Sequence, residues 1–368
     1  QNDSSIHVID ASRSVTVVES LLGKKKTDFT ANIKQEYEKI RHHYKNKQSR
    51  EKGISYENAL ENKLNLDFKP VKPSFLGTKV FDEIDLEKLS SYIDWTPFFR
   101  TWDLHGKFPA ILEDEIVGAE ATKLFNDAKE MLAQIISEAW LKPKAIIGFW
   151  EANSDGDKVL LSDKDESLGA FQMIRQQKKK VKGQANYSLA DFIAPKDTVQ
   201  DYIGGFVVQA GEGVESRVKA FENDHDDYSS IMLKALADRF AEALAEMMHE
   251  EVRKIHWGYD TLEDLDNNAL IKEQYKGIRP APGYPACPDH LQKIKLFELL
   301  GADRIGVELT SSLAMNPAAA VSGWYFAHPE SKYFGVGRIE KDQVQSFAER
   351  MNISIDKAEE WLSPNLNY

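Results

Sequence analysis

The spacing of apolar residues divides the chain into stretches of different period. Leu124, Ala128, Met131, Leu132, Ile135, Ile136 and Trp140 recur at helical intervals and predict an amphipathic helix, which Pro143 is expected to close. The period then shortens. Residues 145–151 form an apolar run expected to be a strand, Asp155-Gly156 is a hairpin-turn signal, 159–161 returns and 168–175 supplies a third strand. Connections this short favour antiparallel pairing, because parallel neighbours need a long crossover. Residues 204–210 read as a further apolar strand. Residues 226–256 predict the longest helix, with Tyr228, Ile231, Ala235, Ala243 and Met247 on or near its inner stripe. Strands are expected again at 321–326 and 333–339, and two short amphipathic helices follow before Pro364.

Ahead of this body the pattern is different. Residues 6–9 (Ile-His-Val-Ile) read as a short buried strand and 14–22 as a helix, ended by Gly23 and the three lysines Lys24 to Lys26. This is the expected tail (1–23) of a preceding α/β domain. Residues 28–50 predict a charged helix with few apolar anchors, and 64–76, with Pro70 and Pro73, an extended stretch. Together 24–76 form an arm, and the globular body runs over 77–368. Runs of strands with helices between them, but no steady βαβ alternation and no solenoid-length repeat, indicate a mixed α/β (α+β-like) fold around an antiparallel sheet.

Composition narrows the function. The 59 acidic and 47 basic residues give a net charge of −12, which argues against a nucleic-acid partner, since that affinity needs a basic footprint. The basic triplets Lys24 to Lys26 and Lys178 to Lys180 read as solvated surface charge. Cys287 is the only cysteine, so no disulfide and no thiolate-rich zinc site can form within the chain, and a reducing cytoplasm is expected. There is no apolar run long enough to span a bilayer and no signal-peptide pattern, so no membrane role is expected. Starting at Gln1, the chain is expected to be processed or cut from something longer.

Common catalytic motifs fail. Gly211-Glu212-Gly213 lacks the third glycine of a dinucleotide fingerprint, and neither a phosphate loop nor a nucleophile elbow occurs. Cys287 and His290 could meet His249 and His256 at a metal, but zinc needs three or four converging ligands, and a free, partly buried thiol is the better reading. The distinctive segment is Arg279-Pro280-Ala281-Pro282-Gly283-Tyr284-Pro285-Ala286-Cys287-Pro288. Its prolines fix φ repeatedly and exclude both helix and central strand, while Gly283 permits a conformation or a close approach that a Cβ would block. Such a stiff loop presents backbone groups at little ordering cost, and Arg279 offers a planar fork to a carboxylate. A rigid connector with a surface arginine fits the same spacing. Asp238 and Glu242 share a helix face, where they could serve a cationic ligand or pair with Lys234 and Arg239 in solvent. Asp94, among aromatic residues, could cap a turn or accept from an ammonium group. Glycines interrupt the aromatic stretches Ser322-Gly323-Trp324-Tyr325-Phe326 and Ser331-Lys332-Tyr333-Phe334-Gly335, which permits close approach by another backbone or a ligand.

Five blocks in order resemble the activation domain of cobalamin-dependent methionine synthase: Tyr-Ile-Asp-Trp-Thr-Pro-Phe-Phe, Lys-Ala-Leu-Ala-Asp-Arg, Gly-Ile-Arg-Pro-Ala-Pro-Gly-Tyr-Pro-Ala-Cys-Pro, Val-Ser-Gly-Trp-Tyr-Phe and Ser-Lys-Tyr-Phe. The likeness runs from about residue 60 to the end. It implies a C-shaped single domain around a twisted antiparallel sheet, with S-adenosylmethionine lying along residues 279–284. Arg279 would then pair with the ligand carboxylate and Asp94 with its ammonium group. Ala281, Tyr333 and Phe334 would contact the nucleoside, Gly283 and Tyr284 would belong to the ligand-binding loop, and Glu242, Asp238 and Glu273 would line the site. The family's cobalamin sits on a neighbouring domain. Consistent with that, Asp103-Leu104-His105-Gly106 lacks the D-x-H-x-x-G spacing of a cobalamin-ligating motif. Zinc would belong only to the full-length enzyme. The implied role is reductive methylation of cob(II)alamin, with the cobalamin domain and flavodoxin or a flavodoxin-like reductase as partners. Flavodoxins are acidic like this chain, so a local basic patch, such as that around Lys178 to Lys182, would be needed. Two other readings stay open: a hydrolase using Asp238, Glu242 and a nearby histidine, and a module that docks on a corrinoid protein and uses the loop structurally.

Overall fold

The computed structural model describes residues 6, 8, 11–23, 26–48, 53–164 and 166–368. The strand expected at 6–9 falls partly on residues outside this set. Helices α1 (Ala11–Leu22) and α2 (Lys26–Gln48) pack on each other. Helix α3 (Tyr56–Glu61) is capped by Ser55, whose side chain accepts from the Asn58 N–H. Residues 53–76 lie along the body and bond to it. The Ile54 N–H donates to Gln177, Ser74 to the His256 carbonyl, and Trp257 Nε1 to the Val71 carbonyl.

The predicted meander is the centre of one six-stranded sheet whose pairings are all antiparallel. After β1 (Gly77–Phe81) come three short helices' worth of chain: α4 (Leu86–Ser90), α5 (Thr96–Thr101) and the longer α6 (Gly118–Ser137). Then β2 (Lys142–Asp155), β3 (Lys158–Asp163) and β4 (Glu166–Gln172) run back and forth, and β5 (Asp201–Glu212) returns on the far side of β2. The long β2 pairs with β5 along one edge and with β1 and then β3 along the other. Asp155 pairs with Lys158, so the two turn residues are Gly156 and Asp157, one position later than the sequence suggests. Pro143 does not close α6, which ends at Ser137. Ala139 turns the chain with a φ of 49°, and Pro143 sits in β2 at a register shift, where a missing N–H is tolerated.

Helix α7 (Val214–Asn223) leads into α8 (Asp227–Glu251), which crosses one face of the sheet over Ile147, Phe149, Phe206 and Tyr325. Ala235, Ala243 and Met247 are buried as their spacing predicts, but Tyr228 and Ile231 are 43% and 45% exposed. The first turn of α8 rests instead beside α6, where the Tyr228 hydroxyl donates to Asp127 at 2.7 Å. After α9 (Asn267–Ile271), α10 (Gln292–Leu300) covers the opposite face over Ile146, Trp150, Val207 and Trp324. The short pair β6 (Glu308–Leu309) and β7 (Met315–Asn316) precedes β8 (Ala320–Tyr325), the outer strand beside β5. Residues 333–339 are not a strand of this sheet. Val336 and Ile339 are buried with Val344 and Phe347 of α11 (Lys341–Met351) and Leu362 of α12 (Ile355–Leu362) in a small separate core, and Ile339 bridges to Leu366 rather than to the sheet.

Candidate functional site

The proline-rich segment leaves β8 with a strand's geometry and then folds into a ledge. Ile278 and Phe326 exchange both backbone hydrogen bonds at 3.0 Å, and the Trp324 N–H donates to Pro280 at 2.9 Å. Gly323 makes this possible, since a Cβ there would stand 2.6 Å from the Pro280 oxygen. Beyond Pro280 the chain closes a tight turn, in which Gly283 N–H donates to Cys287 and Cys287 N–H to Tyr284. Gly283 has a φ of +90°, and a Cβ would lie 2.1 Å from the His290 ring. The close approach that this glycine permits is therefore that of His290. The outer side of the ledge is fixed by the Val336 N–H donating to Pro285 at 2.8 Å.

Ledge and α8 face each other across a groove of about 510 Å³, within the range of small-ligand clefts. Of the residues singled out in the sequence, Glu242, Glu273, Arg279, Ala281, Tyr284, Tyr333 and Phe334 all line it, together with Phe206, Pro280, Pro285, Ala286 and Val321. Three do not. Gly283 lies behind the ledge. Asp94 accepts the Thr96 N–H at 2.9 Å and so fastens the first turn of α5. Asp238 lines a separate cavity of about 270 Å³ with Lys234, Val214 and Pro317. Glu242 and Asp238 share a helix face but not a cavity, so no carboxylate pair of the kind a hydrolase needs is assembled there.

At the inner end of the groove is a polar cluster that sequence reasoning missed. Arg279, its side chain 19% exposed, meets the 9% exposed Glu246 with Nη1–Oε1 at 3.1 Å and Nη2–Oε2 at 2.8 Å. Nη1 also donates to the Tyr275 hydroxyl at 2.7 Å, and the Tyr333 hydroxyl accepts from the Arg279 backbone N–H at 3.0 Å. Burial pushes the Glu246 carboxyl above its ordinary range, against the pull of Arg279 and Arg253. Burial works against the Arg279 charge too, but Glu246 foremost more than offsets it and raises its pKa. His249, one turn on, is fully buried, stacked on Tyr325 with ring centroids 5.3 Å apart. Burial, then Arg253 and Arg279, hold it well below the usual histidine range and therefore neutral. A π turn at Val252–His256 follows α8, and there Arg253 pairs through two nitrogens with Glu263 at 2.5 and 2.7 Å. The signal available in the sequence was Glu246, His249 and Arg253 at one-face helical spacing inside an apolar helix.

No three His, Cys, Asp or Glu side chains converge as a metal site among the described residues. Cys287 is buried, its thiol pushed up by that burial, and His290 packs against Gly283 and Trp361. Among the described residues no helix is long and apolar enough to cross a membrane.

An antiparallel sheet flanked by helices, with a stiff arginine-headed ledge over a groove, defines a small-ligand-binding module. Residues 85–352 match the family model described as the activation domain of vitamin B12 dependent methionine synthase, and the chain belongs to that family. It is similar to a solved structure, the crystal structure of the MetH reactivation domain bound to AdoHcy. The two share 48% identity with a TM-score of 0.83, over 86% of this chain and 99% of that one.

Proposed function

We propose that the groove binds S-adenosylmethionine and presents its sulfonium methyl for reductive methylation of a cobalamin carried by a neighbouring domain. The observation that supports this most is the partly exposed Arg279 guanidinium at the inner end of the groove, with Glu242 and Glu273 along its walls. The proposed ligand carries one carboxylate and two cationic groups, an ammonium and a sulfonium. One arginine and two acids complement that charge pattern, while Ala281, Pro280 and Phe334 offer apolar and backbone surface to the nucleoside. The AdoHcy bound by the related domain is the demethylated counterpart of the same molecule. Asp94 as the ammonium partner belongs to this reading as well. Its Oδ1 is engaged by Thr96, so the contact would fall to Oδ2. Asp238 is assigned no ligand contact.

When delivered to the groove, reduced cobalamin supplies the cobalt nucleophile that takes the methyl group. This chain's own contribution is to bind, orient and shield the donor, so no protein acid, base or nucleophile is assigned. The module would act within a cytoplasmic methyltransferase, with the tail (1–23) and arm (24–76) leading from the cobalamin domain and zinc confined to the remainder of the enzyme. An acidic flavodoxin-like electron donor would need a basic surface. Lys332 and Lys180 stand 4.5 and 6.0 Å from the Tyr187 ring centroid, and that ring lies 5.7 Å from Phe334 at the groove margin. Charge reversal there should slow reduction and weaken its salt dependence.

Calorimetric titration of this chain with S-adenosylmethionine tests the main reading. Arg279→Ala should weaken binding by roughly 30-fold or more, the cost of truncating one partner of a desolvated charge pair. Folded wild-type protein that takes up no ligand at about millimolar concentration, roughly the weakest affinity worth calling specific, would end the proposal.

A further inference from the structure

A guanidinium carries five N–H groups in a fixed plane and can offer a carboxylate either of two paired edges. The end-on edge uses the two terminal nitrogens. The side-on edge uses Nε and one terminal nitrogen. In Arg279 the end-on edge faces Glu246: Nη1 donates to Oε1 at 3.1 Å, and Nη2 stands 2.8 Å from Oε2 as an ion-pair contact. The second hydrogen of Nη1 goes to the Tyr275 hydroxyl at 2.7 Å. Both hydrogens of Nη1 are therefore committed, and among the described residues nothing accepts from Nε. Only the side-on edge remains as a pair.

We infer that Glu246 is a positioning residue for ligand recognition: by occupying the end-on edge of Arg279 it leaves the Nε–Nη2 edge to receive the amino-acid carboxylate of the ligand. This rests on the reading that the groove takes S-adenosylmethionine. Without Glu246, the guanidinium could rotate about its last bonds and meet the ligand by either edge, at the cost of a defined depth for the methyl group. Glu246 is well suited to hold it. Its carboxylate is nearly sealed, lies in the last turns of α8 ahead of the π turn, and is not itself among the groove-lining residues. His249 Nδ1 stands 3.5 Å from Nη1 and, being neutral, adds no charge to oppose the arrangement.

The test is titration of the whole chain with two ligands, S-adenosylmethionine and its decarboxylated analogue, which keeps the sulfonium, the ammonium and the nucleoside. Wild type should prefer the first. Glu246→Gln should weaken S-adenosylmethionine by about tenfold and the analogue by less than about twofold, because only the carboxylate contact depends on the orientation of Arg279. Tyr275→Phe, which keeps the ring and removes one acceptor, should give the same asymmetry at about threefold. It decides the matter if Glu246→Gln does not fold. Equal losses for both ligands would mean that Glu246 acts only on stability or overall charge, and unchanged affinity would mean that it does not act; either overturns the inference. A wild type that binds both ligands equally overturns instead the assignment of Arg279 to the carboxylate. One that binds neither overturns the reading of the groove.

Discussion

Of the arginines that pair with buried carboxylates among the described residues, Arg175 and Arg279 are used differently. Arg175, in the loop after β4, has a side chain with no exposure at all. Nη1 donates to Asp191 and to the Asn186 carbonyl, and Nη2 to Asp191 and Asp157, at 2.6 to 2.7 Å. The other Asp157 oxygen accepts from the Tyr56 hydroxyl at 2.9 Å, and Arg350 donates to the Asp157 carbonyl. This one cluster thus ties together the segment before β1, the hairpin, the loop after β4 and α11. Arg279 has one carboxylate partner instead of two, and its side chain keeps 19% exposure. A sealed arginine with every partner internal specifies structure. One with a partner on its inner edge and solvent beyond is preorganised for a ligand, because the protein has already borne the cost of burying and orienting it.

The largest effect should come from breaking the sealed cluster. Burial opposes the Arg175 charge, and Asp191 and Asp157 together more than offset it. Arg175→Met would leave both acids buried without a cation and should destabilise the chain by about 3–5 kcal/mol in chemical denaturation. Under conditions where the variant is still folded, its affinity for S-adenosylmethionine should match wild type. If affinity falls as far as stability does, the two arginines are not functionally distinct and the comparison fails.

Gly283→Ala sharpens the contrast from the other side. The ledge that carries Arg279 owes its shape to a φ of +90° at this residue and to the His290 ring lying where a Cβ would be. An alanine must strain the backbone and displace the ring, at about 1–3 kcal/mol. Here stability and ligand affinity should fall together, since the ledge is both part of the fold and one wall of the groove. Thermal melts with and without ligand read both quantities. A destabilised variant with wild-type affinity would show that the ledge does not set the groove's geometry.

How much of this was legible in the sequence depends on which neighbours a residue answers to. The meander could be read because 145–151 and 204–210 are apolar on both faces, and burial on both faces leaves little but a central strand. The ledge could be read because proline and glycine act locally. The strand expected at 333–339 misled, since Val336 and Ile339 bury against α11 and α12 instead of joining the sheet. The pairing of Asp238 with Glu242 was correct as helix geometry and uninformative about cavities, because Lys234 and the turn at Pro317 enclose Asp238 separately. Glu246, His249 and Arg253 were missed for a different reason. In a helix ending in several acids and bases they pass for solvated charge, and the partners that compensate their burial, Arg279 for Glu246, Tyr275 for His249 and Glu263 for Arg253, arrive from elsewhere in sequence.

The smallest expected effect separates the two clusters by pH. Glu246 and Asp191 are both acids whose pKa burial raises, against the pull of Arg279 and of Arg175 respectively. For Glu246 the window opens at the ordinary value of 4.5 and extends to the raised one. Within it the native state holds a proton that the unfolded chain has released, so this group's contribution to stability falls as pH rises. Ligand affinity should move the opposite way, because only the ionised carboxylate holds the end-on edge of Arg279. Glu242, Glu273 and the remaining charges facing the groove act on the decarboxylated analogue as well, so the ratio of the two affinities isolates the carboxylate contact. That ratio should climb by a few-fold from about pH 4.5 to about pH 7 in wild type and stay flat in Glu246→Gln. Asp191 titrates with the same sign in stability and should leave the ratio untouched, so Asp191→Asn, where it folds, should keep the wild-type slope. A slope that survives in Glu246→Gln, or one that disappears in Asp191→Asn, would mean that the sealed and the open arginine share one electrostatic unit.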